Sequence, residues 1–210
     1  MSNTVRKEGN LLNLAVLASG NGSNLQAMIN AVEQGAIDGT IKTVISDQEH
    51  AFALQRAQNH GIEAIYINPK SYRGREQFDD AVCSILEKRE IELVLLAGFM
   101  RLMSPLFVNR FQGRVMNIHP SLLPSFPGLN GVKQALDYGV KVSGCTVHFV
   151  DEGLDTGPVI LQEAVSVLET DDEEALQQRI HEVEHRLYPK AIQLFIQGKL
   201  IVKGRRCIVR

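Results

Sequence analysis

The sequence predicts a single α/β domain built on a mostly parallel β-sheet with helices on its flanks. Two observations support this fold class: short β-rich runs alternate with helical patterns along the 210 residues, and no repeat or break in composition marks a domain boundary. After Ala97 the connections shorten, which predicts some antiparallel strands in the C-terminal half. In sheets of this kind a ligand binds beyond the carboxyl ends of the strands, so the site is expected there.

Each element is predicted from its hydrophobic period and its flanking residues. Runs rich in Val, Ile and Leu predict strands at residues 11–18, 41–46, 64–67, 93–97, 115–118, 145–150 and 159–167. Amphipathic stretches predict helices at residues 24–34, 51–60, 73–89, 132–138 and 172–197, and Ser104-Pro105 starts a further helix. Residues 1–10 are predicted to be a flexible N-terminal extension, and the basic tail (Lys199, Lys203, Arg205 and Arg206) a solvated end.

The composition argues against several classes of protein. The chain is 44% hydrophobic and 22% charged with a formal net charge of −2, which favours neither disorder nor a polyanion-binding surface. No apolar run approaches the roughly 20 residues of a membrane helix, and the N-terminus carries no signal-type apolar stretch. Cys83, Cys145 and Cys207 form no C-x-x-C pattern, so neither a disulfide framework nor a zinc knuckle is indicated. We therefore expect a cytoplasmic protein that binds neither nucleic acid nor membrane.

The first predicted strand ends in a glycine-containing turn, Ser19-Gly20-Asn21-Gly22-Ser23-Asn24. Glycines let the backbone approach an anion, and the free N–H groups of a helix N-terminus favour a phosphate; Ser23 or Asn24 is placed to cap that helix. The turn lacks the Gly-Lys-Ser/Thr of a P-loop and, with Leu25, the third glycine of a dinucleotide fingerprint. A dinucleotide site with Asp47 on the ribose and a tight turn without a ligand remain alternatives.

The stretch Val-Met-Asn-Ile-His-Pro-Ser-Leu-Leu-Pro at 115–124 carries an amide and an imidazole to the end of a buried strand. Asn117 and His119 are two residues apart, so they point to the same side of an extended chain. An amide that donates to a developing oxyanion, beside an imidazole that moves a proton, suits acyl transfer. The alternative is that both are only hydrogen-bonded residues at a strand end.

A later alternating strand runs into an acidic loop, Asp151-Glu152-Gly153-Leu154-Asp155-Thr156-Gly157-Pro158. Folded back over the neighbouring strand end, this loop would bring Asp155 to His119. A carboxylate beside an imidazole fixes its tautomer and favours its protonated form. A solvated acidic turn and a Mg²⁺ site are the alternatives at this point.

Two further patterns leave their interpretation open. Apolar side chains follow the predicted strand at 93–97: Phe99, Met100, Leu102 and Met103. They could line a slot for a flat aromatic ligand or belong to the core. Near the same edge of the sheet, Arg75 and Arg101 are isolated cations. Residues 181–185 match the zinc-peptidase pattern H-E-x-x-H. Its helix is charged along much of its length and no third ligand is evident, so a zinc site is not favoured.

Five segments, in their order and spacing, resemble the folate-dependent phosphoribosylglycinamide formyltransferases of purine biosynthesis. They are SGNGSN at 19–24, AGFMR at 97–101, NIHPSLLP at 117–124, PG at 127–128 and VHFVDEGLDTGP at 147–158. The central motif is shared by the wider formyltransferase superfamily, and the SGNGSN turn narrows it to the purine enzymes. The resemblance covers nearly the whole chain after Asn10. It implies a Rossmann-like formyltransferase domain over residues 11–210, whose N-terminal half binds the ribotide phosphate and whose C-terminal half binds folate.

The resemblance also implies roles for individual residues. Asn117, His119 and Asp155 would be catalytic, with His148 supporting them. Gly22, Ser23 and Asn24 would hold the substrate phosphate, and Glu184 would be a further ribotide ligand. The folate-binding residues would be Arg75, Met100, Arg101, Leu102, Met103, Asp151, Glu152, Gly153 and Leu154. Asn130 stands where some relatives have histidine, and its amide hydrogen-bonds but does not titrate.

The implied reaction passes the formyl group of 10-formyltetrahydrofolate, the donor cosubstrate, directly to the amine of N1-(5-phosphoribosyl)glycinamide, with no acyl-enzyme and no metal. The partners would be these small molecules, and the chain a monomer or homodimer. Two other classes stay open. A formyltetrahydrofolate hydrolase would use the same central residues with water as acceptor, without a phosphate cradle. A non-catalytic nucleotide-binding module would need the cradle but not Asn117, His119 and Asp155 together.

Overall fold

The computed structural model describes residues 11–210, so the extension predicted for residues 1–10 lies outside the described part of the chain. Its strands are β1 (Leu12–Leu17), β2 (Gly39–Ser46), β3 (Glu63–Tyr66), β4 (Leu93–Leu96), β5 (Val115–His119), β6 (Val142–Phe149), β7 (Val159–Ser166), β8 (Leu200–Lys203) and β9 (Arg206–Val209). Its helices are α1 (Ser23–Glu33), α2 (Phe52–Asn59), α3 (Arg75–Lys88), α4 (Pro105–Arg110), α5 (Gly131–Tyr138) and α6 (Glu173–Ile196). No helix within these residues is long and apolar enough to cross a bilayer.

The strands form one sheet in the order β3-β2-β1-β4-β5-β6-β7-β9-β8. The first five strands of this order are parallel, while β6 runs antiparallel to both β5 and β7. This arrangement confirms the predicted fold class, a mostly parallel α/β sheet with antiparallel strands in its C-terminal half. It also sets the ends of β1, β4 and β5 side by side, where parallel sheets hold their ligands.

Helices cover both faces of the sheet, and successive residues of β1 show how. Leu14 and Val16 pack into a cluster with residues of α1, α2 and α6, whereas Ala15 and Leu17 pack into a second cluster with residues of α3 and α4. Side chains alternate between the faces of a strand, so a strand covered on both sides is apolar throughout. This is why β1 appears in the sequence as a continuous hydrophobic run.

Tyr188 fixes α6 to the middle of the sheet. Its buried hydroxyl lies 3.0 Å from the carbonyl oxygen of Leu96 in β4 and 2.9 Å from that of Met116 in β5. Burial raises the pKa of Tyr188 well above its ordinary value, so the hydroxyl remains a donor. Glu184 lies one helical turn earlier on α6, and its position is therefore tied to the two strands that lead to the candidate site.

The structure corrects the expectations for the end of the chain and for the start of α3. The basic tail predicted to be a solvated end forms the β8–β9 hairpin at the sheet edge, because Leu-Ile-Val and Cys-Ile-Val runs flank a turn at Gly204 with φ of 57°. The third helix begins at Arg75 instead of residue 73, since Gly74 precedes it with φ of 100°. The helix after Ser104-Pro105 is confirmed, and the Ser104 hydroxyl caps it by accepting from Phe107 N.

Candidate active site

A cleft of about 450 Å³ opens beside the carboxyl ends of β4 and β5. Its walls include the loop at 98–103 after β4, the end of β5, and the acidic loop between β6 and β7. Asn117, His119, His148 and Asp155 all line it. The residues predicted to be catalytic, which are up to 38 positions apart, therefore share one cavity.

His119 is held by its Nε2 atom, which donates to the carbonyl oxygen of Phe126 at 2.8 Å. A carbonyl only accepts, so this bond places a proton on Nε2. The other ring nitrogen, Nδ1, lies 3.5 Å from Asp155 Oδ2, within ion-pair range but long for a hydrogen bond. The ring is thus fixed by one nitrogen, while the other faces a carboxylate and stays available to a ligand atom.

Asp155 is placed by the loop that carries it and by one backbone donor. Its Oδ2 accepts from Gly128 N at 2.7 Å, and its Oδ1 lies 3.7 Å from His148 Nε2. Asp155 has φ of 53°, a left-handed conformation that is rare outside glycine. Phe126 and Asn130 also have positive φ, at 54° and 60°. Left-handed residues of this kind cost of order 1–3 kcal/mol each and cluster at functional sites.

His148 orients Asn117. Its Nδ1 donates to the carbonyl oxygen of Phe149 at 2.9 Å, and its Nε2 lies 3.3 Å from Asn117 Nδ2. Burial lowers the pKa of His148 below its ordinary value, so the ring is neutral and Nε2 accepts from the amide. One N–H of Asn117 is used in this bond, and the second remains for a ligand oxygen.

The predicted phosphate cradle lies at the start of α1. Gly22 precedes the helix with φ of 75°, and no described side chain caps it, so the expected Ser23 or Asn24 cap was wrong. The left-handed glycine turns the chain into the helix, and Asn24 bonds elsewhere. A Cβ at Gly22 would lie 2.8 Å from Ala53 Cβ, so a larger residue does not fit. The first-turn N–H groups keep the anion-binding geometry of an uncapped helix N-terminus.

The buried Glu184 and the half-buried Asn24 form a pair beside this turn. Asn24 Nδ2 donates to Glu184 Oε2 at 2.8 Å, while Asn24 Oδ1 is buried and has no partner among the described residues. Burial raises the pKa of Glu184 from 4.5 to about 7. An acceptor buried without a partner is uncommon in native proteins, and it marks the pair as a place where a ligand hydroxyl could bind.

The predicted folate side is apolar at its rim. Met100 and Leu154 line the cleft with 63% and 52% of their surface exposed, Leu102 is partly exposed, and Met103 is buried beneath them. Exposed apolar side chains around a cavity are typical of a ligand site. Asp151 and Gly153 also line the cleft, whereas Glu152 does not and lies 3.4 Å from Asn109.

The two predicted folate-side arginines differ in position. Arg101 lines the cleft, and its guanidinium stacks on the Phe78 ring at 4.6 Å. Arg75 is exposed at the start of α3 and does not line the cleft. Both charges act on Asp79, which accepts from Ser104 N at 2.6 Å and whose pKa is raised by burial. Arg101 is therefore part of the described cavity, and Arg75 lies outside it.

The alternative interpretations find less support in the geometry. Asp47, considered as a ribose ligand of a dinucleotide, accepts instead from the Ser19 hydroxyl at 2.6 Å. In the H-E-x-x-H segment the rings of His181 and His185 stack at 6.0 Å, and Glu182, the glutamate of the pattern, is exposed. No group of three potential metal ligands occurs within residues 11–210.

Sequence reasoning missed the groups that hold the site together. The Phe126 carbonyl and the Gly128 amide fix His119 and Asp155, but both are backbone groups and have no side-chain signature. The Pro127-Gly128 dipeptide was the one available signal, because it predicts a turn at this place.

Comparison with known proteins places the chain in a family. A model of the formyl transferase family matches residues 12–192. The chain is 48% identical over 191 residues to the trifunctional purine biosynthetic protein adenosine-3 of Drosophila melanogaster; the match covers 90% of this chain but spans only 14% of that relative's length. It is 44% identical over 179 residues to the phosphoribosylglycinamide formyltransferase of Bacillus subtilis, covering 85% of this chain and 92% of that protein. The crystal structure of glycinamide ribonucleotide transformylase 1 from Symbiobacterium toebii matches with a TM-score of 0.95 and 47% identity over 99% of both chains. With its central sheet, its cleft and these relatives taken together, the chain belongs to the formyl transferase family.

Proposed function

We propose that this chain is a phosphoribosylglycinamide formyltransferase. It transfers the formyl group of 10-formyltetrahydrofolate to the amine of N1-(5-phosphoribosyl)glycinamide, giving formylglycinamide ribonucleotide and tetrahydrofolate in de novo purine biosynthesis. The observation that carries this proposal is the meeting of Asn117, His119 and Asp155 in one cleft. An uncapped helix N-terminus and the hydrogen-bonded Asn24–Glu184 pair provide the second substrate's site.

His119 and Asn117 stabilise the charge that develops on the formyl oxygen. With Nε2–H bonded to Phe126, a neutral His119 would turn the lone pair of Nδ1 towards the Asp155 carboxylate. A proton on Nδ1 removes this repulsion and gives a charged donor beside the free N–H of Asn117. Two donors already in place at the developing oxyanion lower the barrier, because they need no reorganisation during the reaction.

Asp155 stabilises the imidazolium and accepts the proton that the attacking amine must lose. Its two oxygens lie 3.5 Å from His119 and 3.7 Å from His148, and the Gly128 amide holds it in place. The proton then passes to the leaving nitrogen of the donor through Asp155 or an intervening water. Transfer is direct, and the buried thiols of Cys83 and Cys145, whose pKa values burial raises to about 12, are poor nucleophiles.

The two substrates occupy opposite sides of this catalytic group. On one side, the N–H groups of Gly22, Ser23 and Asn24 bind the ribotide phosphate, and Glu184 of α6 accepts from the ribose hydroxyls. On the other side, the apolar rim from Met100 to Met103 and the acidic loop enclose the pterin ring of the donor. Holding both reactants beside Asn117 and His119 supplies much of the rate, since the reaction becomes effectively unimolecular.

Substrate-dependent release of folate tests the proposal. The protein is incubated with 10-formyltetrahydrofolate, with and without glycinamide ribonucleotide, and tetrahydrofolate formation is followed. We expect release only when the ribotide is present. Release without the ribotide would identify a hydrolase, and no release under either condition would leave a binding module.

We also propose that the enzyme acts in the cytoplasm on these small molecules alone. Its three cysteines are free thiols, as is usual in a reducing compartment. The predicted monomer or homodimer remains a prediction that sedimentation velocity can test.

A further inference from the structure

One serine side chain joins the loop that leads to the phosphate cradle to the loop on the donor side of the cleft. Ser19 N donates to the carbonyl oxygen of Gly98 at 3.0 Å, and Ser19 Oγ accepts from Met100 N at 2.9 Å. Ser19 directly precedes the turn at 20–22 that opens α1, whereas Gly98 and Met100 belong to the loop after β4. Two hydrogen bonds from one residue therefore bridge the two loops.

Asp47 fixes the direction of the serine hydroxyl. Ser19 Oγ donates to Asp47 Oδ1 at 2.6 Å, and since a carboxylate only accepts, the hydroxyl's single proton is used there. Its lone pairs are then left to accept from Met100 N. Asp47 is 5% exposed and its second oxygen accepts from Gln48 Nε2 at 3.2 Å, so the acceptor is itself held in place.

Around Met100 the donor-side loop depends on such bonds, whereas Phe99 and Met103 on either side pack against the core. Met100 is mostly exposed, and Gly98 before it has φ of 70°. A segment with little buried apolar surface is ordered mainly by its hydrogen bonds. The position of Ser19 and the position of the Met100 backbone are thus linked by a direct hydrogen bond.

We propose that Ser19 and Asp47 are positioning residues that couple the ribotide site to the folate site. The inference rests on the proposed function, because it takes the two loops to be the walls of these two sites. A ribotide phosphate bound at the cradle fixes Ser19, and Ser19 fixes Met100 before the donor binds. The donor then binds a loop that is already ordered, and it binds more tightly for that reason.

Calorimetric titration with a non-reacting pair tests the coupling. Tetrahydrofolate is titrated into the protein with and without saturating glycinamide ribonucleotide. We expect the ribotide to tighten tetrahydrofolate binding about fivefold or more, the lower end of ordinary coupling between sites. In Ser19→Ala the backbone bond to Gly98 remains and only the hydroxyl is lost, so the ratio of affinities should fall to within about twofold of one.

Matched variants separate coupling from a loss of structure. Asp47→Asn keeps a carbonyl oxygen that accepts from Ser19 and should retain the coupling, whereas Asp47→Ala should lose it. Ser104→Ala removes a hydroxyl from the far end of the same loop, away from the ribotide turn, and should leave the ratio unchanged. In steady-state assays Ser19→Ala should raise the KM for the folate donor more than it lowers kcat, which a merely structural defect would not do.

Several results would overturn the inference. Coupling that persists in Ser19→Ala, coupling that is absent from the wild-type protein, or Asp47→Asn behaving like Asp47→Ala would each contradict it. The proposed function is tested separately. If the wild-type protein binds both ligands with coupling but releases no tetrahydrofolate from 10-formyltetrahydrofolate, the coupling through Ser19 would stand and the transferase activity would be refuted.

Discussion

Glu184→Gln tests the effect of one buried carboxyl group on stability. Glu184 is 3% exposed, accepts one hydrogen bond from Asn24 Nδ2, and has its pKa raised by burial to about 7. Glutamine has nearly the same volume, and its carbonyl oxygen can accept from Asn24 in the same way. The substitution therefore removes the ionisation and little else.

The size of the effect follows from the shift in pKa. In the unfolded chain Glu184 titrates at its ordinary value of 4.5, so the native state holds the proton more tightly. The stability that comes from the neutral carboxyl is complete below pH 4.5 and is lost as the pH rises through 7. Each pKa unit corresponds to about 1.4 kcal/mol, which gives a loss of about 3 kcal/mol. Glu184→Gln should equal the wild type near pH 4 and exceed it by about this amount at pH 8.

Urea unfolding at several pH values measures this difference directly. Burial lowers the pKa values of His148 and His185, which weakens the native state as the pH falls, but this effect is common to both proteins and cancels. Burial also lowers the pKa of His181, whose Nε2 lies 3.9 Å from Glu184 Oε2, so this contribution does not cancel completely. Glu182→Gln, at an exposed neighbour on the same helix, is the matched control and should show no such trend. A difference between Glu184→Gln and wild type that stays constant from pH 5 to pH 8 would refute the reasoning.

The stabilised variant should also bind the ribotide about tenfold more weakly, because a charged acceptor is lost.

Three further substitutions have defined outcomes. His119→Ala should lower kcat about 10²- to 10⁴-fold while leaving tetrahydrofolate binding within a few fold, and near-normal turnover would contradict its role. Gly22→Ala should cost about 1–3 kcal/mol of stability and raise the KM for the ribotide, because the new Cβ meets Ala53. Gly20→Ala is the control, since the space around Gly20 is open. Equal effects of the two substitutions would argue against the steric explanation. Tyr188→Phe should destabilise the protein by about 1–3 kcal/mol in thermal or urea unfolding, because two buried strand carbonyls lose their donor, and an unchanged midpoint would show that water replaces the hydroxyl.

The sequence predicted the fold well where hydrophobic period and chain order determine it. The parallel strands from β1 to β5 and the antiparallel β6–β7 pair follow from short apolar runs and from the length of the segments between them. The β8–β9 hairpin was missed because its basic residues were taken to indicate a solvated tail, although its two β-branched runs are typical of strands. At an exposed sheet edge, charge and strand structure are compatible, so charge alone was a poor guide.

The members of the candidate site were predictable where a local pattern or the family resemblance named them, but their contacts with one another mostly were not. Asn117 and His119 share one side of a strand, which the two-residue period predicts. Asn24 and Glu184 are 160 positions apart, and Ser19 and Asp47 are 28 apart. Such pairs depend on how separate elements pack, and no local pattern encodes that. The helix cap was predicted wrongly for a related reason. Asn24 has the right chemistry for a cap, but its side chain instead forms a hydrogen bond with Glu184.

The left-handed conformation of Asp155 has a consequence for what its replacement would do to stability. A glycine at this position would relieve the backbone, and the same holds to a lesser degree at Asn130. A glycine at residue 155 would also remove the acceptor of the Gly128 amide. Backbone strain and the hydrogen bond therefore act in opposite directions on stability at the residue whose carboxylate faces His119.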